Sequence, residues 1–308
     1  MAVLVTGGAG FIGSNIVGRL LDEGQDVRVL DDLSTGKAEN LREHREKVRL
    51  IRGSINDKKT LENALEDVEY VLHQAAIPSV ARSVRDPIRS NEANLTGTLN
   101  VLVGARDSGV RRVVYASSSS VYGDTPTLPK SEDMAPNPIS PYAVSKLGGE
   151  HYCRVFSRIY GLETVSLRYF NVFGPKQDPT SEYAAVIPKF ITTILNGDGP
   201  RVYGDGEQTR DFTYVGNVVN ANLLSMKAKK TSGEAVNIGC GEKYSVNSLI
   251  DRINHIIGSD VKAAHMKPRE GDIRDSLADI RRAEKLIGYT PEIAFDEGLK
   301  RTVEWFRK

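Results

Sequence analysis

The chain has 308 residues, of which 40% are hydrophobic and 26% charged, and its formal net charge at pH 7 is +1. This near-neutral charge gives no electrostatic reason to expect a nucleic acid or an anionic membrane as partner. Cys153 and Cys240 are too few for a disulfide framework and are expected to be reduced, and the histidines show no metal-ligand spacing. No apolar run approaches the roughly 20 residues of a membrane span, and no leader opens the chain, so we expect a cytoplasmic enzyme.

A strand, a glycine-rich turn and a helix open the chain. Residues 3–5 are a short apolar run typical of a buried strand, and Gly8, Gly10 and Gly13 then satisfy the pattern G-x-G-x-x-G. Such glycines allow a tight turn and let the backbone approach a pyrophosphate at the helix N-terminus. A lone glycine fingerprint also occurs in ordinary strand-to-helix turns, so the surrounding elements decide the interpretation.

The second predicted strand, residues 27–30, ends at Asp31 and Asp32. An acid about 20 residues beyond the glycine turn accepts hydrogen bonds from the adenosine ribose hydroxyls, and its charge repels a 2′-phosphate. The next basic residue is Lys37. The opening of the chain therefore predicts a dinucleotide site that prefers NAD to NADP.

Strands continue to alternate with helices up to about residue 170. Apolar strand patterns occupy residues 48–51, 70–73, 113–116 and 164–168, and helices are predicted over 94–105 and around Tyr142. This alternation predicts an α/β fold with a doubly wound parallel Rossmann sheet. We expect residues 1–170 to form the NAD-binding domain, with parts of 205–240 returning to it.

The pattern changes near Asn171, where prolines and glycines interrupt the alternation. A short strand near Phe212, helices over 215–226 and 246–257, a strand over 235–238 and a terminal helix ending at 305–306 follow. These elements predict that residues 171–308 form mainly a smaller mixed α/β domain that binds substrate at the carboxyl edge of the sheet.

Tyr142 and Lys146 are four residues apart, so a helix would place them on one face. A neighbouring ammonium favours the phenolate form of a tyrosine, which could then act as a general base. Four serines, residues 117–120, directly follow the predicted strand 113–116. Hydroxyls at that strand end would face a cofactor, although serine is also common in turns and the tyrosine–lysine pair alone could arise by chance.

Together, the glycine turn, Asp31, the serine run and the Tyr142–Lys146 pair resemble the extended short-chain dehydrogenase/reductase superfamily over essentially the whole length. Within it, the chain is similar to nucleotide-sugar 4-epimerases of the UDP-glucose and UDP-N-acetylglucosamine type. The resemblance implies that Tyr142 is the catalytic base, that Lys146 binds the nicotinamide ribose and lowers the pKa of the tyrosine, and that Ser118 is the hydroxyl partner. It also implies NAD as cofactor, a UDP-sugar as substrate and a homodimer through helices near Asn94 and Tyr142.

The resemblance further implies a set of NAD-binding residues spread along the first half of the chain. They are Gly7, Gly10, Phe11, Ile12, Gly13, Asp31, Asp32, Ser34, Thr35, Gly36, Ser54, Ile55, Gln74, Ala75, Ala76, Asn94, Ser117, Tyr142, Lys146 and Tyr169. Asn94 matches an asparagine that is usually structural. Ser54 stands where the family has an aspartate on the adenine amine, and it stays open whether the contact is weaker or Asp57 substitutes.

A second implied set would bind the UDP-sugar. Its members are Ser79, Ser118, Ser119, Ser120, Tyr142, Asn171, Ala185, Val186, Tyr203, Arg210, Arg269, Asp272 and Ser276. Asn171 matches a contact of the diphosphate and Tyr203 an aromatic that packs on uracil. Arg210 and Arg269 match arginines that hold the diphosphate, and guanidinium groups suit phosphate oxygens, although any single arginine is more often a surface charge.

Two positions bear on the reaction and the sugar. Dehydratases and decarboxylases of the superfamily have a carboxylate directly after the strand hydroxyl, where this chain has Ser119 and Ser120, which favours simple epimerisation. Ser276 matches a gate beside the sugar 2-substituent, and with Ser79 it favours a pocket that admits both plain and N-acetylated UDP-hexoses. The alternatives are a UDP-glucuronate 4-epimerase or decarboxylase, or a nucleotide-sugar oxidoreductase.

Overall fold

The computed structural model describes residues 2–180, 185–267 and 274–308. Its strands, in chain order, are β1 (Ala2–Thr6), β2 (Asp26–Asp31), β3 (Arg49–Arg52), β4 (Val68–His73), β5 (Arg112–Ser118), β6 (Glu163–Tyr169), β7 (Val172–Phe173), β8 (Arg201–Tyr203), β9 (Thr209–Arg210), β10 (Thr213–Tyr214), β11 (Glu234–Ile238), β12 (Tyr244–Ser245) and β13 (Ala264–Met266).

The α-helices are α1 (Phe11–Asp22), α2 (Lys58–Leu65), α3 (Val80–Arg85), α4 (Pro87–Asn91), α5 (Gly97–Asp107), α6 (Pro141–Tyr160), α7 (Val186–Leu195), α8 (Val215–Lys227), α9 (Val246–Ile257), α10 (Arg281–Ile287) and α11 (Phe295–Phe306). Short 3₁₀ helices span Ala38–His44 and Ser119–Tyr122, and a π-helical turn spans Glu92–Thr96.

A seven-stranded parallel sheet, ordered β3–β2–β1–β4–β5–β6–β11, forms the centre of the molecule. Strand β1, inside this sheet, is buried along its whole length, because its side chains point alternately to the two faces and helices cover both. Val3 and Val5 face the layer of α1 and α8, while Ala2 and Leu4 face that of α2, α5 and α6. The doubly wound parallel sheet predicted from the sequence is confirmed, and the strand order reverses between β1 and β4, where such folds bind ligands.

The remaining strands form three two-stranded pairs at the carboxyl edge of the large sheet: β7 with β10, β8 with β13 and β9 with β12. Phe173, Phe212 and Phe295 pack against one another beneath them, with ring centroids 5.5 to 6.5 Å apart. Helix α8 and strand β11 lie in the large sheet's own layers although they follow residue 171. The boundary between the two predicted domains stays a prediction.

Three predicted elements differ in detail. The strand expected at 48–51 lies at Arg49–Arg52, and the short strand expected near Phe212 is two strands on either side of that residue. The helix predicted over 94–105 begins earlier, because the Asp86 side chain caps α4 and Pro87 starts it, and the π-helical turn interrupts it.

Two kinds of feature are absent from residues 2–180, 185–267 and 274–308. No helix there has the length and apolar character needed to cross a membrane. In the same residues, no cluster of three or more His, Cys, Asp or Glu side chains could hold a metal ion. Cys153 and Cys240 are both free thiols.

Candidate active site

A cleft of about 680 Å³ runs along the carboxyl edge of the sheet from the glycine turn to Tyr142 and Lys146. Eighteen of the twenty predicted NAD-binding residues line it: Gly7, Gly10, Phe11, Ile12, Gly13, Asp31, Asp32, Ser34, Thr35, Ser54, Ile55, Gln74, Ala75, Ala76, Ser117, Tyr142, Lys146 and Tyr169. Gly36 and Asn94 lie beside it. The structure therefore brings together residues that are far apart in the chain.

The glycine turn leaves no room for side chains. A Cβ atom on Gly7, whose φ is +68°, would lie 2.6 Å from the backbone nitrogen of Ala75, and one on Gly13 would lie 2.2 Å from the carbonyl oxygen of Gly7. Gly10 is the N-cap of α1 and provides no side-chain hydrogen bond to the first turn. The N–H groups of that turn can therefore serve an anionic phosphate in the cleft.

Asp31 is fixed at the end of β2. Its carboxylate accepts hydrogen bonds from the backbone N–H groups of Ala9 (2.9 Å) and Leu33 (2.8 Å). Burial raises the pKa of Asp31, and these two hydrogen bonds oppose that rise. A Cβ atom on Gly36 would lie 2.9 Å from the backbone of Ala9 and 3.0 Å from both carboxylate oxygens, so this loop packs directly on the acid.

Helix α6 places Tyr142 and Lys146 on the wall of the cleft. Its N-cap is Ser140, whose hydroxyl accepts a hydrogen bond from the Ala143 N–H at 3.2 Å, and Pro141 follows at the first helical position. The Lys146 ammonium donates to the carbonyl oxygen of Ala116 at 2.8 Å and lies 5.8 Å from the centroid of the Tyr142 ring. Burial lowers the pKa of Lys146 to about 8.

The influence of Lys146 on Tyr142 stays a prediction. Burial raises the pKa of Tyr142, and a hydrogen bond with Ser118 opposes that rise. The Lys146 ammonium donates to the Ala116 carbonyl, and both side chains line the same cleft.

The four serines after β5 have different surroundings. Ser117 donates to the buried Glu150 carboxylate, while Ser118 ends the strand and accepts a hydrogen bond from the Ser120 N–H at 3.2 Å. The Ser120 hydroxyl is buried and has no hydrogen-bond partner among the described residues. Ser118 is therefore the hydroxyl of this run that lies beside Tyr142.

Asn94 occupies the π-helical turn and is almost fully buried. Its side chain accepts from the Ile77 N–H (2.8 Å) and donates to the Ile77 carbonyl (3.1 Å) and the Ser145 hydroxyl (3.3 Å). It thus ties the loop after β4 to helix α6. This geometry is structural, as the resemblance implied.

The two candidates for the adenine contact are now distinguished by position. Ser54 lines the cleft, and its hydroxyl accepts a hydrogen bond from the Asn56 N–H at 3.1 Å. The Asp57 carboxylate instead caps α2 by accepting from the Thr60 N–H at 2.7 Å. Ser54 is therefore the one of the two that lines the cleft, and its contact with adenine stays a prediction.

Several predicted substrate residues lie in segments that contact one another. The Asn171 amide donates to the Asp211 carbonyl (3.1 Å) and to the Ser276 hydroxyl (3.3 Å). The Arg210 guanidinium donates to the carbonyls of Thr209 (2.8 Å) and Arg274 (3.0 Å). These contacts place the segments of Asn171, Arg210 and Ser276 at one site.

The other predicted substrate residues lie around this site. Ser79 caps α3 and lines the cleft. Ala185 also lines the cleft and precedes Val186, the first residue of α7. Ser119 follows Ser118, and Tyr203 is the last residue of β8. Arg269 and Asp272 lie outside the described residues.

Some residues at the site were not indicated by any sequence pattern. Four residues of the cleft lie in a segment without helical or strand periodicity: Lys176, Gln177, Asp178 and Pro179. The buried Asp211 carboxylate accepts from the N–H groups of Cys240, Gly241 and Ala278. It joins three segments around the substrate side, and burial raises its pKa to about 6.

A doubly wound parallel sheet, a dinucleotide cleft and a Tyr–Lys–Ser set at a strand end define a nicotinamide-dependent enzyme of the short-chain dehydrogenase/reductase class. The chain belongs to the NAD dependent epimerase/dehydratase family, whose model matches residues 3–239.

Individual relatives match almost the whole chain. It is 41% identical to the UDP-glucose 4-epimerase of Mycolicibacterium smegmatis over 312 residues, which cover 100% of this chain and 99% of that protein. The solved UDP-N-acetylglucosamine 4-epimerase of Methanobrevibacter ruminantium, in complex with UDP-N-acetylmuramic acid, matches with a TM-score of 0.95 at 43% identity, covering 99% and 98% of the two chains. The UDP-glucose 4-epimerase of Thermotoga maritima with UDP-glucose gives a TM-score of 0.95 at 41% identity, covering 100% and 99%.

Proposed function

We propose that the chain is an NAD-dependent UDP-hexose 4-epimerase. It interconverts UDP-glucose with UDP-galactose, and UDP-N-acetylglucosamine with UDP-N-acetylgalactosamine, through a bound 4-keto sugar. The observation that carries this proposal is the set of Tyr142, Lys146 and Ser118 at the dinucleotide cleft. The contact between Asn171 and Ser276 lies two residues beyond Tyr169, which lines the same cleft. The relatives named above support the same substrates.

The residues have distinct parts in the reaction. NAD⁺ supplies the hydride acceptor that makes oxidation at C4 of the sugar possible. Tyr142 takes the proton of the 4-hydroxyl and later returns it, and Ser118 hydrogen-bonds the same oxygen. Burial raises the pKa of Tyr142, so the phenolate is a strong base once it has formed. Lys146 is cationic below a pH of about 8 and orients the ribose hydroxyls with its ammonium.

Epimerisation requires the sugar to present both faces while its nucleotide stays bound. Asn171 and Arg210 would hold the diphosphate, and the contacts between their segments beside Ser276 support this assignment. In the described loop after β5, Ser119 and Ser120 stand where elimination of water or loss of carboxylate would need an acid. This composition favours epimerisation over the dehydratase and decarboxylase alternatives.

A homodimer is the second part of the proposal. Val144, Val155 and Ile159 on α6 are 52%, 42% and 68% exposed and follow one face of the helix. A run of exposed apolar side chains on a long helix suits burial against a second copy. An Ile159→Glu variant should sediment as a monomer, whereas an unchanged sedimentation coefficient would contradict this interface.

The test of the activity is product analysis without added NAD. UDP-glucose and UDP-N-acetylglucosamine are incubated separately with the purified chain, and the 4-epimers are resolved by chromatography. Formation of both epimers supports the proposed reaction with a retained cofactor. No product from either sugar, with bound NAD present, would point to a uronate or another nucleotide-sugar.

A further inference from the structure

Residues 175–179, here called the strap, form part of the lining of the dinucleotide cleft. Lys176, Gln177, Asp178 and Pro179 line this cleft together with the glycine turn, although more than 160 residues of chain separate them. The epimerase chemistry described above gives the strap no part. Its contacts nevertheless hold it in one position.

Both ends of the strap are anchored to segments that flank the glycine turn. The Asn15 side chain, in the first turns of α1, donates to the Pro175 carbonyl at 3.2 Å. The Lys37 ammonium pairs with the Asp178 carboxylate at 2.7 Å, and the Lys37 N–H itself donates to the Ala9 carbonyl at 2.9 Å. The strap is therefore attached to the turn from two sides.

Lys176 lies at the middle of this arrangement. Its backbone φ is +69°, a conformation that residues with a side chain seldom adopt. Its ammonium donates to the Asn40 carbonyl at 3.0 Å, and the Asn40 side chain donates to the Ala9 carbonyl at 2.9 Å. Asn40 thus links the Lys176 ammonium to Ala9 in the glycine turn.

The Lys176 ammonium has lost part of its water, and the Glu43 carboxylate acts on its charge from beyond ion-pair distance. The side chain is partly buried, burial lowers its pKa, and no carboxylate of the described residues pairs with it within 4.0 Å. Lys37, in contrast, is neutralised by Asp178. An ammonium has three N–H donors, so Lys176 retains two beyond the bond to Asn40.

We propose that Lys176 binds the diphosphate of the dinucleotide, and that the Lys37–Asp178 ion pair holds the strap in place for this contact. The N–H groups of the glycine turn would face the diphosphate from one side and the Lys176 ammonium from the other. This inference rests on the proposed use of NAD, but it is independent of the reaction and of the sugar.

The experiment compares three ligands that differ in their phosphates. Trp305 is the only tryptophan in the chain and lines the same cleft, so its fluorescence follows NADH binding. Affinities for ADP and adenosine come from displacement of NADH. For Lys176→Met we expect about a tenfold loss of affinity for NADH and ADP, in the range of a charge-assisted hydrogen bond, and no change for adenosine.

Two further variants separate the contact from a loss of structure. Lys176→Arg should keep most of the affinity, because it retains the charge, and Lys229→Met removes an exposed lysine on the surface as a matched control. An equal loss for adenosine would overturn the inference, as would unchanged NADH affinity. If the wild type fails to bind NADH, the proposed function fails as well; if it binds NADH but produces no epimer, only the function fails.

The ion pair has its own test. Asp178→Asn should speed the dissociation of NADH in the wild-type background and have little further effect in the Lys176→Met background, because both changes act on one contact. Additive effects in the double variant would overturn the role given to the ion pair.

Discussion

The Arg168 guanidinium and the Glu150 carboxylate form a buried, bidentate ion pair next to the helix that carries Tyr142 and Lys146. Arg168 Nε lies 2.9 Å from Glu150 Oε1, and Arg168 Nη2 lies 2.7 Å from Glu150 Oε2. Glu150 is one helical turn beyond Lys146 on α6, and it also accepts from Ser117 at the end of β5. The pair therefore joins the helix that carries Tyr142 to the two strands beneath it.

Breaking this pair should be costly. Glu150→Gln leaves the Arg168 charge buried without a counter-ion, so we expect the free energy of unfolding to fall by about 3–5 kcal/mol in urea denaturation. Glu150→Met combined with Arg168→Met should recover part of the loss, because no buried charge remains. Glu297→Gln removes half of an exposed pair with Arg301 and should cost less than about 1 kcal/mol. Equal losses for Glu150→Gln and Glu297→Gln would contradict this expectation.

Removing the phenol oxygen of Tyr142 should abolish the base without disturbing the fold. For Tyr142→Phe we expect kcat to fall by at least about a hundredfold, the lower range for a general base, with the Kd for UDP unchanged. Tyr160→Phe alters an exposed tyrosine of the same helix and serves as the control. Near-normal turnover of Tyr142→Phe, measured by product analysis, would remove Tyr142 from the mechanism.

The size of residue 276 should decide the sugar preference. Ser276 lies 3.3 Å from the Asn171 amide, so a tyrosine in its place would fill space beside the predicted diphosphate contact. We expect Ser276→Tyr to lower kcat/KM for UDP-N-acetylglucosamine at least about tenfold relative to UDP-glucose, a discrimination typical of pocket size. Ser276→Ala should leave the ratio near that of the wild type. A ratio that is unchanged in Ser276→Tyr would show that residue 276 is no gate.

His73 should make stability fall in acid. The Thr98 hydroxyl donates to the Asn94 carbonyl, so His73 Nε2 is the donor to Thr98 (3.0 Å) and Nδ1 accepts from Thr6 (2.7 Å). Burial lowers the pKa of His73 from 6.5 to about 3, so between these values the unfolded chain binds a proton that the folded chain does not. This one group should reduce the free energy of unfolding by up to about 1.4 kcal/mol for each pH unit below 6.5.

The comparison that checks this is urea denaturation between pH 7 and pH 4.5. His73→Gln should flatten the dependence on pH relative to the wild type, although it is less stable at pH 7. His255→Gln, which changes an exposed histidine on α9, should keep the wild-type slope. Parallel curves for His73→Gln and the wild type would contradict the assignment.

The parts of the site that the sequence predicted are those encoded by local patterns. The glycine turn, Asp31 and the Tyr142–Lys146 spacing each lie within one strand–turn–helix unit. In such a unit, hydrophobic periodicity and turn residues determine where each side chain points. Helix α6 was predicted for the same reason. The family resemblance added Asn171 and Ser276, which the fold then brought within hydrogen-bonding distance.

Other features depend on contacts between distant segments, which no periodicity reveals. The strap is joined to the glycine turn through Asn15, which contacts Pro175, and through Asn40, which contacts Lys176. Asp211 gathers three N–H groups from two other segments. The hydrogen bond from the Lys146 ammonium to the Ala116 carbonyl on strand β5 is another contact of this kind. The orientation of a side chain toward one of several partners is decided by tertiary packing.

The last strand of the large sheet is contributed by residues from the final third of the chain. Strand β11 (Glu234–Ile238) pairs with residues 165–169 of β6, so a fragment that stops near residue 170 would leave β6 as an open edge. Such edges template intermolecular pairing. During synthesis, the NAD-binding half therefore stays unfinished until about three-quarters of the chain has left the ribosome, and the two halves cannot be expressed separately without exposing this edge.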